Sequence, residues 1–424
     1  MNRCMRRLLR TLVSCYKTSF APIALIAVML AFPLMAVAAP LQTYLALGDS
    51  IAFGETDITP VSFGDQGYVR RYADWLATQN SCRRPIVINL AIPGETSTSF
   101  FTAVSPPGFA PHSTLASFNL NYQTNTAQSQ HNLMLSSIAS EQTAGHVISH
   151  VSFALGVNDL QGFFALHPDF LSLPRSQQQQ LIAAFAAMLA TNYEAVLTEI
   201  RAALPTAELL LLTYYNPNAI FGPADPLNQA SMLFLNVHTS LLQRLAGPFG
   251  AQIVDIATPF QGHEAQYTFI RSGGVHPNDL GYAVIAQQMI AVSSVSPAAF
   301  TTQLELTRGP AARMDSFDLR GTFTLGAASN GMNAVTEPVT LQMGTFCTMI
   351  PAGSFTQHKH GQVTFDGTLN AVALQVRLSP SGGKSFTVQA EGNGADLTGI
   401  VNPVSMGLII GNDTGSTIVT AEFQ

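Results

Sequence analysis

Charged side chains are scarce in this chain, making up 10% of its 424 residues against roughly a quarter in an average soluble protein. The net charge is -6. Beyond the first residues no cluster of lysine and arginine supplies the electrostatic footprint of a nucleic-acid site, so no DNA or RNA partner is expected. Apolar runs long and unbroken enough to span a membrane are missing after the first 40 or so residues. Neither H-E-x-x-H nor a dinucleotide or phosphate-loop fingerprint occurs, and neither a metal nor a cofactor is expected. G-x-S-x-G is absent as well, which removes one common setting for a nucleophilic serine. Cysteine is rare, at four residues.

What is present begins with an address. Arg3, Arg6, Arg7, Arg10 and Lys17 lead into an apolar stretch over residues 21–36, and Ala36-Val37-Ala38 fits an A-x-A cleavage site. Residues 1–38 therefore read as a signal peptide, and the mature chain as secreted or held in the cell envelope or periplasm. An uncleaved anchor is the alternative, because the apolar run is near the lower limit for spanning. Cys4 and Cys15 fall inside this leader, leaving Cys82 and Cys347. In an oxidising compartment that pair could tie two domains together. Sequence does not show proximity, so two separate buried thiols are the default reading.

Hydrophobic residues make up 47% of the chain, enough for a sizeable core, and the length suggests two domains. Short apolar runs at 44–47, 85–90, 146–155, 207–213 and 251–256 read as strands. Between them lie helical patterns at 68–78, 127–143, 181–203 and 228–245, the third behind a Ser176/Gln179 capping box. Such alternation predicts a three-layer α/β/α fold with a doubly wound parallel sheet. Residues 100–126 carry no clear period and read as a long surface insertion. After Val295 the period falls to two, as in Val339, Leu341 and Met343 or Val372, Leu374 and Val376, which predicts an all-β sandwich. The expected domains are residues 39–295 and 296–424.

Chemistry-bearing residues gather at the strand ends. Gly48-Asp49-Ser50 closes the first strand, Pro93-Gly94 follows the second, Gly156-Val157-Asn158-Asp159 follows the third, and Val275-His276-Pro277-Asn278 precedes a last helix that runs to about Val292 with Pro277 at its first position. In open α/β sheets that edge holds the binding crevice. Gly-Asp-Ser alone is an ordinary turn sequence, and a lone histidine at a helix start is ordinarily a cap or a surface residue. Together and in this order, the segments resemble the SGNH hydrolases, also called GDSL lipases and esterases, over residues 41–290.

The resemblance implies an exported serine esterase. Ser50 would be the nucleophile and His276 the general base, while the backbone N–H groups of Ser50 and Gly94 and the Asn158 amide would form the oxyanion hole. The substrate would be a carboxylic ester of a small molecule, a lipid or an acetylated carbohydrate. The family usually places an Asp three residues before the histidine, and here that position is Gly273. A backbone carbonyl of residues 272–274 is the favoured replacement, another acid such as Glu264 or Asp279 the second, and an impaired site the third. Asp49 and Asp159 read as turn-fixing residues. Phe100, Phe101, Phe109, Phe118, Phe163, Phe164 and Phe170 either line the pocket or pin their loops to the core. His146 and His150 share one face of a buried strand, and His358 and His360 are expected to be solvated. Two rivals remain: a surface binding or adhesion protein on a hydrolase scaffold, and an acyltransferase using the same residues. The β domain is compatible with carbohydrate or cell-envelope contact.

Overall fold

A computed structural model describes residues 40–56, 60–123 and 125–424. The leader expected over residues 1–38 lies outside them. Strands β1 (Gln42–Gly48), β2 (Ile86–Asn89), β3 (Val147–Ala154), β4 (Glu208–Leu212) and β5 (Gln252–Val254) form a parallel sheet in the order β2-β1-β3-β4-β5. The order reverses at β1, which opens a crevice between the carboxyl ends of β1 and β3. Alternation along β1 assigns its two faces. Leu45 and Leu47 enter a core built with the helices Gln130–Thr143, Arg175–Ala203 and Pro226–Ala246. Tyr44 and Ala46 meet the helices Gly67–Gln79 and Asp279–Ser293 on the other side. Strands covered on both faces must be apolar throughout, which is why each reads as a run rather than an alternation.

Several local expectations differ from the structure. Asp225 caps the helix that begins at Pro226, accepting from Leu227 N at 2.9 Å and Asn228 N at 3.0 Å, so that helix starts before residue 228. The Ser176/Gln179 capping box does not form, because Pro174 adopts an extended conformation and the helix begins at once with Arg175, placing Ser176 inside its first turn. By length and composition this helix could cross a membrane, although no apolar run of that length was expected after the first 40 or so residues; here Phe185, Leu189, Tyr193 and Leu197 lay one stripe of it on the sheet. Residues 100–126 are more ordered than an insertion without period suggests. They contain the helix His112–Ala116, and Asn119 Nδ2 donates to the carbonyls of Asn89 and Ala91, both at 2.9 Å.

The β part follows the last helix directly. Its strands are β6 (Ser296–Thr307), β7 (Asp315–Thr324), β8 (Val339–Met343), β9 (Phe346–Ile350), β10 (Thr356–Gln357), β11 (Val363–Leu369), β12 (Val372–Gly382), β13 (Ser385–Ala395), β14 (Val404–Ile410), β15 (Asp413–Val419) and β16 (Glu422–Phe423). They hydrogen-bond in the order β10-β11-β12-β13-β7-β6-β15-β14-β8-β9, with β16 beside β6. Strands far apart in this ladder meet face to face: Phe317 of β7 lies 5.6 Å from Phe346 of β9, ring centre to ring centre. One hydrophobic core fills the space between the two faces, giving the sandwich.

Cys82 and Cys347 correct the default reading, because they form a disulfide with 5.5 Å between their Cα atoms across a sequence separation of 265. Arg71 Nη1 donates to Pro403 O at 2.8 Å and Arg70 Nη2 to Gly399 O at 3.1 Å alongside it. Residues 40–424 thus form one compact unit.

Candidate active site

β1 ends at Gly48 with φ 150°, where an added Cβ would sit 2.3 Å from Ala154 O of the neighbouring strand. Only glycine tolerates that approach. The chain then turns at Asp49, which caps the helical turn Ser50–Phe53 by accepting from Ile51 N at 3.0 Å; its other oxygen accepts from the Tyr214 hydroxyl at 2.6 Å. Burial pushes the Asp49 carboxyl up to about 7, against the pull of those hydrogen bonds. Ser50 opens the turn, so its N–H is one of the donors that a helix start leaves without an intrahelical acceptor.

The other strand ends converge on the same crevice. Gly94 has φ 75°, and an added Cβ there would lie 2.9 Å from a Leu115 methyl carbon and 3.1 Å from the Phe109 ring. Asn158 stands in the first turn of the helix Val157–Leu166 and donates from Nδ2 to Glu95 O at 3.0 Å; its amide carries a second N–H. Asp159 beside it accepts from Ser97 N at 2.9 Å and Ser97 Oγ at 2.6 Å. Burial raises its carboxyl to about 6. Both aspartates hold loop backbone.

His276 is placed by its neighbours. Phe269 N donates to His276 O at 3.0 Å, the Tyr215 hydroxyl donates to Val275 O, and Thr268 and Pro277 form a β-bridge. Pro277 is therefore not the first helical residue. Asn278 caps the helix instead, accepting from Gly281 N at 3.0 Å. Among the described residues the carboxylate paired with the imidazole is Glu55, its Oε2 3.6 Å from Nε2. Gly273 closes a short turn at φ 90°, a conformation in which the family's usual Asp would be strained. Asp279 stands instead with Arg71 in a groove lined also by the β part, and Glu264 lines a separate cavity.

Ser50, Gly94, Asn158 and His276 line one cavity of about 550 Å³, together with Glu55. The chain also matches the GDSL-like Lipase/Acylhydrolase family over residues 46–284. It belongs to that family. It is accordingly a carboxylic ester hydrolase of the GDSL type. Solved structures similar to it include the following three. The lipase Lip_vut3 from a goat rumen metagenome is 19% identical, with 60% of this chain and 97% of that one covered at a TM-score of 0.40. Phospholipase A1 from Streptomyces albidoflavus NA297 is also 19% identical, with 59% and 99% covered and a TM-score of 0.36. Axe2, an acetylxylan esterase from Geobacillus stearothermophilus, is 16% identical, with 60% and 94% covered and a TM-score of 0.36. No curated protein matches the chain.

The loop phenylalanines of this GDSL hydrolase divide between the two roles expected of them. Phe109 and Phe164 line the cavity, whereas Phe100, Phe163 and Phe170 are core residues and Phe101 and Phe118 pack against the core. Of the other histidines singled out, His150 pairs with Glu208 at 3.3 Å and His146 with Glu141 at 3.0 Å, while His358 and His360 are exposed, His358 meeting Thr364 Oγ1 at 2.7 Å.

Sequence reasoning missed two residues beside Glu55. Gln130 is fully buried and brackets Gly48, accepting from its N–H at 2.7 Å and donating to its carbonyl at 2.9 Å. The same Nε2 reaches Glu95 Oε2 at 3.2 Å. Glu95 is buried beside Gly94, bonded to the Ser99 hydroxyl and 3.4 Å from His112 Nε2. One amide thus joins the loop before Ser50 to the loop of Gly94, whose next carbonyl holds Asn158. The only signal available in the sequence was a glutamine directly after the Ser129 cap of a helix, at a position that would otherwise be apolar.

Proposed function

We propose that the chain is an exported serine esterase that works through an acyl-enzyme. One observation carries this reading: the four residues singled out in sequence, from four separate segments, share a single cavity. His276 takes the Ser50 proton as Oγ attacks the ester carbonyl. The N–H groups of Ser50 and Gly94 and the Asn158 amide receive the oxyanion. Collapse breaks the bond to the alcohol, which leaves with the proton held on His276, and water then repeats the sequence to free the acid. Glu55 stabilises the imidazolium from 3.6 Å. Phe109, Leu115, Leu160 and Phe164 give the cavity an apolar side suited to an acyl group. Export is supported by the leader pattern and by a disulfide, which persists in oxidising compartments.

Hydrolysis of p-nitrophenyl acetate, butyrate and octanoate by the mature chain tests the reading, beside Ser50→Ala and His276→Ala variants checked for folding by circular dichroism. Loss of turnover in both is expected. Wild-type rates no higher than those of Ser50→Ala on all three esters would overturn it.

A further inference from the structure

The peptide that joins β3 to the helix Val157–Leu166 is gripped by two side chains. Leu155 is fully buried. Its carbonyl accepts from the Tyr193 hydroxyl on the helix Arg175–Ala203 and from His238 Nε2, at 3.0 Å, on the helix Pro226–Ala246. Nε2 also lies 3.0 Å from the Tyr193 oxygen. The imidazole fills the space where a side chain at residue 156 would stand. A Cβ on Gly156, whose φ is 122°, would sit 2.8 Å from His238 Cδ2 and 2.9 Å from Nε2. The ring of Tyr214, a wall of the catalytic cavity, is 5.4 Å from the imidazole, centre to centre.

His238 is 3% exposed, and burial lowers its pKa to about 4. The ring is therefore neutral at ordinary pH, with its one proton on Nε2 facing Leu155 O. Nδ1 is left as a buried lone pair with no hydrogen-bond partner among the described residues. Such a group costs stability, and native folds keep few of them without a use. Satisfying Leu155 O does not require it, since Tyr193 already donates there. A leucine would fill much of the same space and bury no lone pair.

We infer that His238 is a positioning residue that acts on Asn158 through Leu155 and Gly156. Two donors from different helices hold one carbonyl, so the peptide between Leu155 and Gly156 is fixed against rotation. Glycine resists such rotation least of all residues, which makes an external clamp useful at this point. Gly156 O accepts from Leu160 N at 3.2 Å, so the first turn of the helix follows the same peptide. Asn158 stands in that turn with one N–H of its amide committed to Glu95 O at 3.0 Å. A shift of the turn would swing the other N–H away from the oxyanion. The inference rests on the esterase reading above and adds to it what aims the third donor.

A double-mutant cycle on the full mature chain tests it. Wild type, His238→Leu, Asn158→Ala and the double variant are compared for kcat and KM on p-nitrophenyl butyrate, with folding checked by circular dichroism. Asn158→Ala is expected to cost about 100- to 1000-fold in kcat, as for any lost oxyanion donor. His238→Leu should cost roughly 10- to 50-fold in kcat with KM within about twofold, because the misplaced contact matters only in the transition state. In the Asn158→Ala background the same change should cost less than about twofold, since the group it positions is gone. His238→Gln, whose amide can donate from near the Nε2 position, should recover most of the lost kcat. Additive losses in the cycle, a His238→Leu effect borne by KM, or a glutamine no better than leucine would each overturn the inference. Tyr193→Phe removes the other donor to Leu155 O while keeping its ring, and it carries the same cycle with the same expected pattern where His238→Leu does not fold. Turnover lost in Ser50→Ala and Asn158→Ala beside an additive His238→Leu sinks the inference alone. Turnover in Ser50→Ala equal to wild type sinks the esterase reading, and the inference with it.

Discussion

Replacing Gln130 by methionine keeps the length of the side chain while removing every hydrogen bond it makes. Gly48 N would lose its acceptor at 2.7 Å, and Glu95 would lose a donor at 3.2 Å. Gly48 O would be less affected, since it also accepts from Ile92 N at 3.1 Å. Leaving a buried donor unsatisfied costs about 1–3 kcal/mol, and a buried carboxylate somewhat more. The expected loss of stability is therefore about 2–5 kcal/mol, read as an earlier midpoint in urea. The catalytic effect has a different origin. Gln130 sets the spacing between the Ser50 and Gly94 loops, and losing one oxyanion donor outright costs about 100- to 1000-fold in turnover. Misplacing one without losing it should cost roughly 10- to 100-fold in kcat on p-nitrophenyl butyrate, with KM nearly unchanged, because the affected contacts strengthen only in the transition state. A folded Gln130→Met variant with kcat within about twofold of wild type would refute the argument. So would a rise in KM at constant kcat, which would assign Gln130 to substrate binding.

Glu55→Gln removes the charge 3.6 Å from His276. Both side chains are partly exposed, so screening limits the effect to roughly three- to tenfold in kcat, well short of the roughly 10⁴-fold seen when a sole triad acid is replaced; an unchanged kcat in stopped-flow assays would remove Glu55 from the mechanism. Asp49 gives a pH prediction. Its carboxyl is raised to about 7 when folded, so the stability it contributes is full below its unfolded value and lost as the pH rises through about 7. The melting temperature should fall between about pH 5 and about pH 8 more steeply in wild type than in Asp49→Asn, and equal slopes by scanning fluorimetry would contradict the assignment.

Buried parallel strands announce themselves as short apolar runs between turn residues, and all five were legible for that reason. Three of the four candidate site positions, Ser50, Gly94 and Asn158, were picked out because each follows the end of such a run, and His276 because it precedes the last helix. Glu55 and Gln130 were not, since their partners His276 and Gly48 lie in other segments, and nothing local to either residue marks the meeting. The disulfide was hidden in the same way. Helix starts failed for a different reason: Asp225 is a clear cap, but the apolar period picks up only at residue 228, which placed that start too late, whereas Pro277 suggested a start two residues too early because the proline is held in a β-bridge with Thr268 and Asn278 is the cap. At Ser176 the start was again placed too late, because a capping pattern inside a helix looks the same in sequence as one at its start.

Two residues separate the last helix, ending at Ser293, from β6, beginning at Ser296, and a disulfide and two guanidinium contacts fasten the sandwich to the helix Gly67–Gln79 and the turn after it. A module on a long flexible tether explores a sphere around its catalytic partner and raises local concentration in every direction. Here the sandwich has no such tether, so any surface it rests on meets Ser50 at one bearing and one stand-off. An immobilised substrate would then be cut only at sites a set distance from the point of attachment, and the pattern of cleavage along a polymer would record the geometry of the chain itself.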